Sequence, residues 1–163
     1  MGSRERRWKG PSFAPGASAR KRVVVEGGDG AERWILARAL HEAGFDVVRC
    51  GGPAENGGPC PLVAGRGCDA VERADGVVNL LGLRSPDGEE ILRAVRAAAP
   101  HAGIVAQVTP FDRERLAPLL AVCECYVVSP RATADALTSR VVRAPAPAGS
   151  AAPGRAVGDT ELD

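Results

Sequence analysis

Chemistry in this chain would have to come from a few side chains. Cys50, Cys60 and Cys68 fall in one Gly- and Pro-rich stretch with the spacing C-x9-C-x7-C. Structural zinc sites usually pair their ligands about two to four residues apart, so this spacing is not a structural-zinc pattern. Cys60 and Cys68 could form a reversible disulfide, or hold a metal with Cys50 as third ligand, which makes the three the candidate thiol or redox residues. The plainer reading is that they are small apolar side chains. Gly27-Gly28-Asp29-Gly30 stands between a β-rich run and a helical one, where a Gly-rich turn can cradle a phosphate on a helix N-terminus. It is not G-x-G-x-x-G, because Arg33 occupies the place of the third Gly, and a tight turn explains it as well. Thr109 and Ser129 have hydroxyls but no accompanying base, and capping helices is role enough for them. His41 and His101 read as solvated. No Ser/His/Asp arrangement emerges, so no residue is assigned a catalytic role and no enzyme is expected.

These residues are positioned by an alternation of strand and helix. Arg22–Glu26, Asp46–Cys50, Gly76–Leu81, Gly103–Val108 and Cys125–Val128 are apolar, β-branched runs, as buried parallel strands are. Asn79 is the one polar residue in the third run, near its end. Helices are expected over Ala31–Ala43, with Ile35, Leu36, Ala39, Leu40 and Ala43 inward, and from Ser85-Pro86-Asp87, with Ile91, Leu92, Val95 and Ala98 inward. Two more follow, from Thr109-Pro110 on Leu116, Leu119 and Leu120, and over Ala132–Arg143 on Leu137 and Val141. A short, poor helix is expected near Asp69–Arg73, and Gly51–Gly58 reads as loop. Such an alternation gives a parallel sheet covered on both sides. Right-handed crossovers and the length favour the flavodoxin-like order 2-1-3-4-5.

Residues 1–20 and 145–163 lack apolar periodicity and are expected to be disordered, leaving one domain over 21–144. The basic residues around Trp8 could meet an acidic partner, but a solvated tail is the plainer reading. Net charge is +1, which gives no electrostatic case for nucleic acid or an anionic membrane. No apolar run is long enough to span a bilayer, and the N-terminus lacks a signal peptide's apolar core. A cytoplasmic, bacterial protein is expected. Five cysteines, an odd number, argue against a disulfide framework.

Lys21–Ala144 resembles the receiver domain of bacterial two-component response regulators. The likeness rests on RVVVEGGDGAERWILARALHEAGFDVV, on LRSPDGEEIL with its Asp-Gly pair opening a helix, and on CECYVVSPRATADALTSRVVRA. The resemblance implies an Mg²⁺-binding acidic pair at Gly27 and Gly28, with Asp29 next to it. It implies a phospho-accepting Asp at Asn79 or Leu80, a switch hydroxyl at Thr109, a Lys at Ser129, a Pro at Pro130 and a switch aromatic at Tyr126. Thr109, Pro130 and Tyr126 are retained, while the acidic pair, the acceptor and the Lys are not. Phosphoryl transfer depends on those charges. The resemblance therefore implies a degenerate, phosphorylation-independent receiver without cofactor. It would act in signal transduction or transcription control, through a protein partner or as a homodimer. The expected face is that of the fourth helix, fifth strand and fifth helix, and with no effector domain in the chain, output would pass through another protein. The alternatives are a small-ligand or nucleotide binder at Gly27–Gly30 and a thiol or metal sensor on the loop cysteines.

Overall fold

The computed structural model describes residues 20–80, 86–130 and 132–143. The strands are β1 (Arg22–Gly27), β2 (Asp46–Cys50), β3 (Gly76–Leu80), β4 (Gly103–Gln107) and β5 (Cys125–Val128). The helices are α1 (Gly30–Glu42), α2 (Gly52–Asn56), α3 (Asp69–Glu72), α4 (Pro86–Ala98), α5 (Pro110–Val122) and α6 (Ala134–Arg143). All neighbouring strands are parallel, in the order β2-β1-β3-β4-β5. This is the expected topology. The calls on Leu81, on the segment through Ser85 and on both tails lie outside the described residues, apart from Arg20, which is exposed.

Because side chains alternate along a strand, the sheet divides its apolar residues between two cores. On one face Val24, Val48, Val77, Ile104 and Ala106 meet Ile91, Leu92 and Val95 of α4 and Leu116, Leu119 and Leu120 of α5. On the other, Val23, Val25, Val78, Leu80 and Val105 meet Leu36 and Leu40 of α1, Phe45 and Leu137 of α6. Each fully buried Val or Leu contributes about 1.5–3 kcal/mol, and Val25, Val77, Val78, Leu92 and Val105 are wholly enclosed.

Three local expectations need correction. The inward stripe of α1 is Arg33, Leu36, Ala37 and Leu40, while Ile35 is 55% exposed, Ala39 is half-buried and Ala43 exposed. A guanidinium can join such a stripe only if its donors are met, and those of Arg33 are, as described below. Within Gly51–Gly58 the chain makes the short helix α2, with Pro53 in its first turn and Gly57 ending it in the left-handed conformation at φ 67°. Finally, α6 starts at Ala134, two residues later than expected. Its first turn is capped by Thr133, whose Oγ accepts from the Ala136 N–H at 3.2 Å. Ser129, exposed, stands further back. The additional α2 makes the fourth and fifth helices of the sequence reading α5 and α6.

Candidate functional site

In a parallel α/β sheet, function gathers beyond the carboxyl ends of the strands. There β1 runs into the turn Gly27-Gly28, with φ of 76° and 68°, a conformation that favours glycine. Asp29 then caps α1, accepting from the Glu32 N–H at 2.8 Å. The turn is tight against its surroundings. A Cβ on Gly28 would lie 3.0 Å from Glu32 Oε2 and 3.2 Å from Leu80 Cβ.

Register separates Asn79 from Leu80. Glu26 pairs with Asn79, and Gly27 with Leu80. Leu80 belongs to the core of the α1–α6 face and packs beside Gly28. Asn79 is also enclosed, but its strand position gives it the opposite face, where its Nδ2 donates to Glu26 Oε1 at 2.8 Å. The enclosed Glu26 carboxyl has its pKa pushed up to about 7 by burial, with the Asn79 bond opposing the rise.

Several residues that the sequence reading left aside build the rim. Arg33 Nη1 donates to the carbonyls of Gly27 (2.9 Å) and Gly28 (3.2 Å), and Nη2 reaches both carboxylate oxygens of Glu55 at 2.6 Å. The turn thus aims two carbonyls at a cation, the reverse of a phosphate cradle. Gln107, at the end of β4, donates to Glu32 Oε1 at 3.0 Å and to the Pro130 carbonyl at 3.4 Å. It ties α1 to the β5–α6 connection. Thr109 caps α5, accepting from the Asp112 N–H at 3.1 Å and donating to Asp112 Oδ2 at 2.5 Å. Ser129 and Pro130 are exposed. Tyr126 is half-buried on the edge strand, with the Arg140 guanidinium 4.5 Å from its ring centre and hydrogen-bonded to its hydroxyl.

The fold is that of a response-regulator receiver domain. Similar solved structures include a response regulator receiver protein from Sinorhizobium medicae WSM419, with a TM-score of 0.57 and 18% identity, over 76% of this chain and 93% of that one. A CheY-like receiver domain protein from Methanospirillum hungatei JF-1 gives a TM-score of 0.59 at 14% identity, over 77% and 93%. The Vibrio cholerae chemotaxis protein CheY4 gives 0.58 at 17%, over 77% and 99%. No protein-family model and no curated protein matches the sequence. Within this receiver fold, the Gly27–Leu80 pairing lies at the carboxyl edge, and Gly28 faces Leu80.

The cysteines lie on the other face. Cys50 pairs in register with Glu26, and Cys50, Cys60 and Cys68 are free, half-buried thiols against the α4–α5 core. Burial pushes the Cys50 thiol up, a hydrogen bond from the Gly52 backbone opposes this, and Glu26, Cys68 and Cys60 add to the rise. Among the described residues, no group of three or more His, Cys, Asp or Glu is placed to hold a metal ion. His41 and His101 are exposed, and Cys123 is the core cysteine of the last pair. No described helix is long and apolar enough to cross a membrane.

Signals for the missed residues were present in part. Glu26 ends an apolar strand with the same parity as Val24, and parity assigns it to the same core. Arg33 lies three and seven residues before Leu36 and Leu40, on their helix face. Nothing local marks Gln107 or Glu55, whose partners are distant in sequence.

Proposed function

We propose that this chain is a phosphorylation-independent, receiver-type regulatory module, not an enzyme, that works by binding a protein. The observation that carries this reading is Leu80, apolar and buried against Gly28 where a receiver needs an acceptor carboxylate beside an acidic pair. Asp29, the carboxylate next to the turn, is exposed and serves as the cap of α1. Glu26 is closed into the opposite core. An acyl phosphate requires an acceptor carboxylate, and Mg²⁺ requires oxygen ligands. No side chain of Gly27, Gly28 or Leu80 supplies a carboxylate, and the Gly27 and Gly28 carbonyls are taken by Arg33.

The surface offered to a partner, or to a second copy of the chain, is that of α5, β5 and α6. Phe111 and Val122 on α5 are 85% and 73% exposed, and Val142 on α6 is 59% exposed. Beside them β5 is an open sheet edge, and Arg140 lies over Tyr126. Large exposed apolar side chains next to a strand whose outer edge is open among the described residues favour protein contact. Signalling is the role this reading assigns, with neither nucleic acid nor membrane as direct partner.

Incubation of the full chain with Mg²⁺ and acetyl phosphate, read by intact mass, tests the first part. The expected result is an unmodified chain. An added phosphoryl group that hydroxylamine removes would overturn it. For the second part, Phe111→Ser and Val122→Glu should weaken self-association or partner capture without changing the melting temperature.

A further inference from the structure

The connection from β2 to β3 holds two of the five cysteines, Cys60 and Cys68, and Cys50 ends the strand that leads into it. Between Cys60 and Cys68 the chain folds back on itself. The Ala64 N–H donates to the Cys60 carbonyl at 3.0 Å, the Gly65 N–H to Leu62 at 3.1 Å, and the Arg66 N–H to Pro61 at 2.9 Å. The last bond sets Pro61 beside Arg66, so Cys60 and Cys68 leave the neck of a closed turn. Gly65 and Gly67, at φ 69° and 73°, let the chain reverse there. Both cysteines are half-buried, both are free, and both lie against the same apolar core.

The other two cysteines are arranged differently. Cys123 Sγ donates to the Leu92 carbonyl at 3.9 Å and Cys125 Sγ to the Cys123 carbonyl at 3.7 Å. Burial pushes the Cys125 thiol up to about 12. Those thiols are held as protonated donors within the core and edge strand, and thiolate is the reactive form.

We propose that Cys60 and Cys68 form a reversible disulfide, making the β2–β3 connection a peroxide-responsive thiol switch. The inference stands apart from the functional reading above. The thiolate of one cysteine attacks a peroxide oxygen; the O–O bond breaks, leaving a sulfenic acid and one water once the leaving hydroxide is protonated. The second thiol attacks that sulfur, the S–S bond forms, and the second water leaves. Two thiols are oxidised and one hydrogen peroxide is reduced. Cys50 lies in β2, outside the turn, and takes no part. The bond would lock the turn onto α3, whose first residues follow Cys68 and whose Glu72 accepts from the Cys68 N–H at 3.0 Å.

The test uses the full chain, reduced, freed of reductant and treated with hydrogen peroxide. Intact mass should show the loss of two hydrogens per chain, reversed by dithiothreitol. Cleavage after Arg49, Arg66 and Arg73 separates Cys68 from a peptide carrying both Cys50 and Cys60. A link between the two peptides that persists in Cys50→Ser is the expected result, together with a melting temperature raised by roughly 5–10 °C. Cys60→Ser and Cys68→Ser should each lose the link, and the wild-type map decides if either variant fails to fold. A Cys50–Cys60 bond, a bond between chains, or oxidation to sulfinic acid without any link would overturn the proposal.

Discussion

At the carboxyl edge of the sheet, β1 and β3 end on the α1–α6 face with Gly27 and Leu80, and one residue earlier on the α4–α5 face with Glu26 and Asn79. The first pair is apolar and closed. The second is polar, fully enclosed and joined by a hydrogen bond of 2.8 Å. One step along a strand moves a side chain through the sheet. Glu26, the carboxyl directly before the turn, is therefore on the other side, within an apolar core. Position in sequence and position in space disagree by one residue, and that residue decides whether a carboxylate faces solvent and metal or hydrocarbon.

The largest expected effect breaks this comparison at Glu26. Its folded pKa of about 7 lies above the ordinary 4.5, so the folded chain keeps a proton that the unfolded chain releases. The group's contribution is fully present below about pH 4.5, is lost as the pH rises to about 7, and stays lost above. The loss is about 3 kcal/mol. Glu26→Gln should be as stable as the native chain at pH 4.5 and more stable at pH 8, by about 2–3 kcal/mol, in urea titrations at both values. Equal pH profiles for the two would show that Glu26 is ionised in the fold.

Next in size is Arg33, which braces the apolar side of the edge. Arg33→Ala leaves the Gly27 and Gly28 carbonyls without that donor and Glu55 without its guanidinium. Unmet buried acceptors and the lost packing should together cost about 2–3 kcal/mol. Glu55 is half-exposed, at 51%, so Glu55→Ala should cost well under half as much. Urea unfolding of both variants would sharpen the contrast, and equal losses would shift the bracing role from the carbonyls to the ion pair.

Gly28→Ala is smaller again. Its backbone at φ 68° disfavours any side chain, and the new Cβ would press on Leu80 and Glu32. About 1–2 kcal/mol is expected. The Leu80→Ala, Gly28→Ala double variant removes only the Leu80 Cδ1 contact at 3.3 Å and keeps the Cβ contact at 3.2 Å, so the loss beyond Leu80→Ala alone should stay close to that of Gly28→Ala.

How legible this was follows from the same physics. The strands were readable because Val-rich runs of four to six residues suit a doubly covered sheet, and Thr109-Pro110 because its cap is local. The register at Asn79 and Leu80 was not, since both fit the end of β3 and only pairing with β1 separates them. Nor was α2, because the bond that makes Gly52–Asn56 useful, Glu55 to Arg33, spans 22 positions. The candidate site was read as a loss of charge at Gly27, Gly28, Ser129 and either Asn79 or Leu80. Its bracing by Arg33 and Gln107 was hidden in tertiary contacts.

The smallest expected effect concerns the residue that the helix pattern misassigned. Ile35 is the most apolar side chain in the first half of α1, and counting apolar residues turns it inward. Arg33 changes the count, because a guanidinium met by two carbonyls and a carboxylate occupies an inward position at no desolvation loss that its partners do not offset. With Arg33, Leu36, Ala37 and Leu40 inward, Ile35 must point away, and it is 55% exposed. Ile35→Gln should then change stability by less than about 0.5 kcal/mol, against about 2–4 kcal/mol for the neighbouring Leu36→Ala. If Ile35→Gln costs as much as Leu36→Ala, the helix is rotated relative to this arrangement. Arg33 could not then reach the Gly27 and Gly28 carbonyls, and the contrast between the two faces would fail at its root.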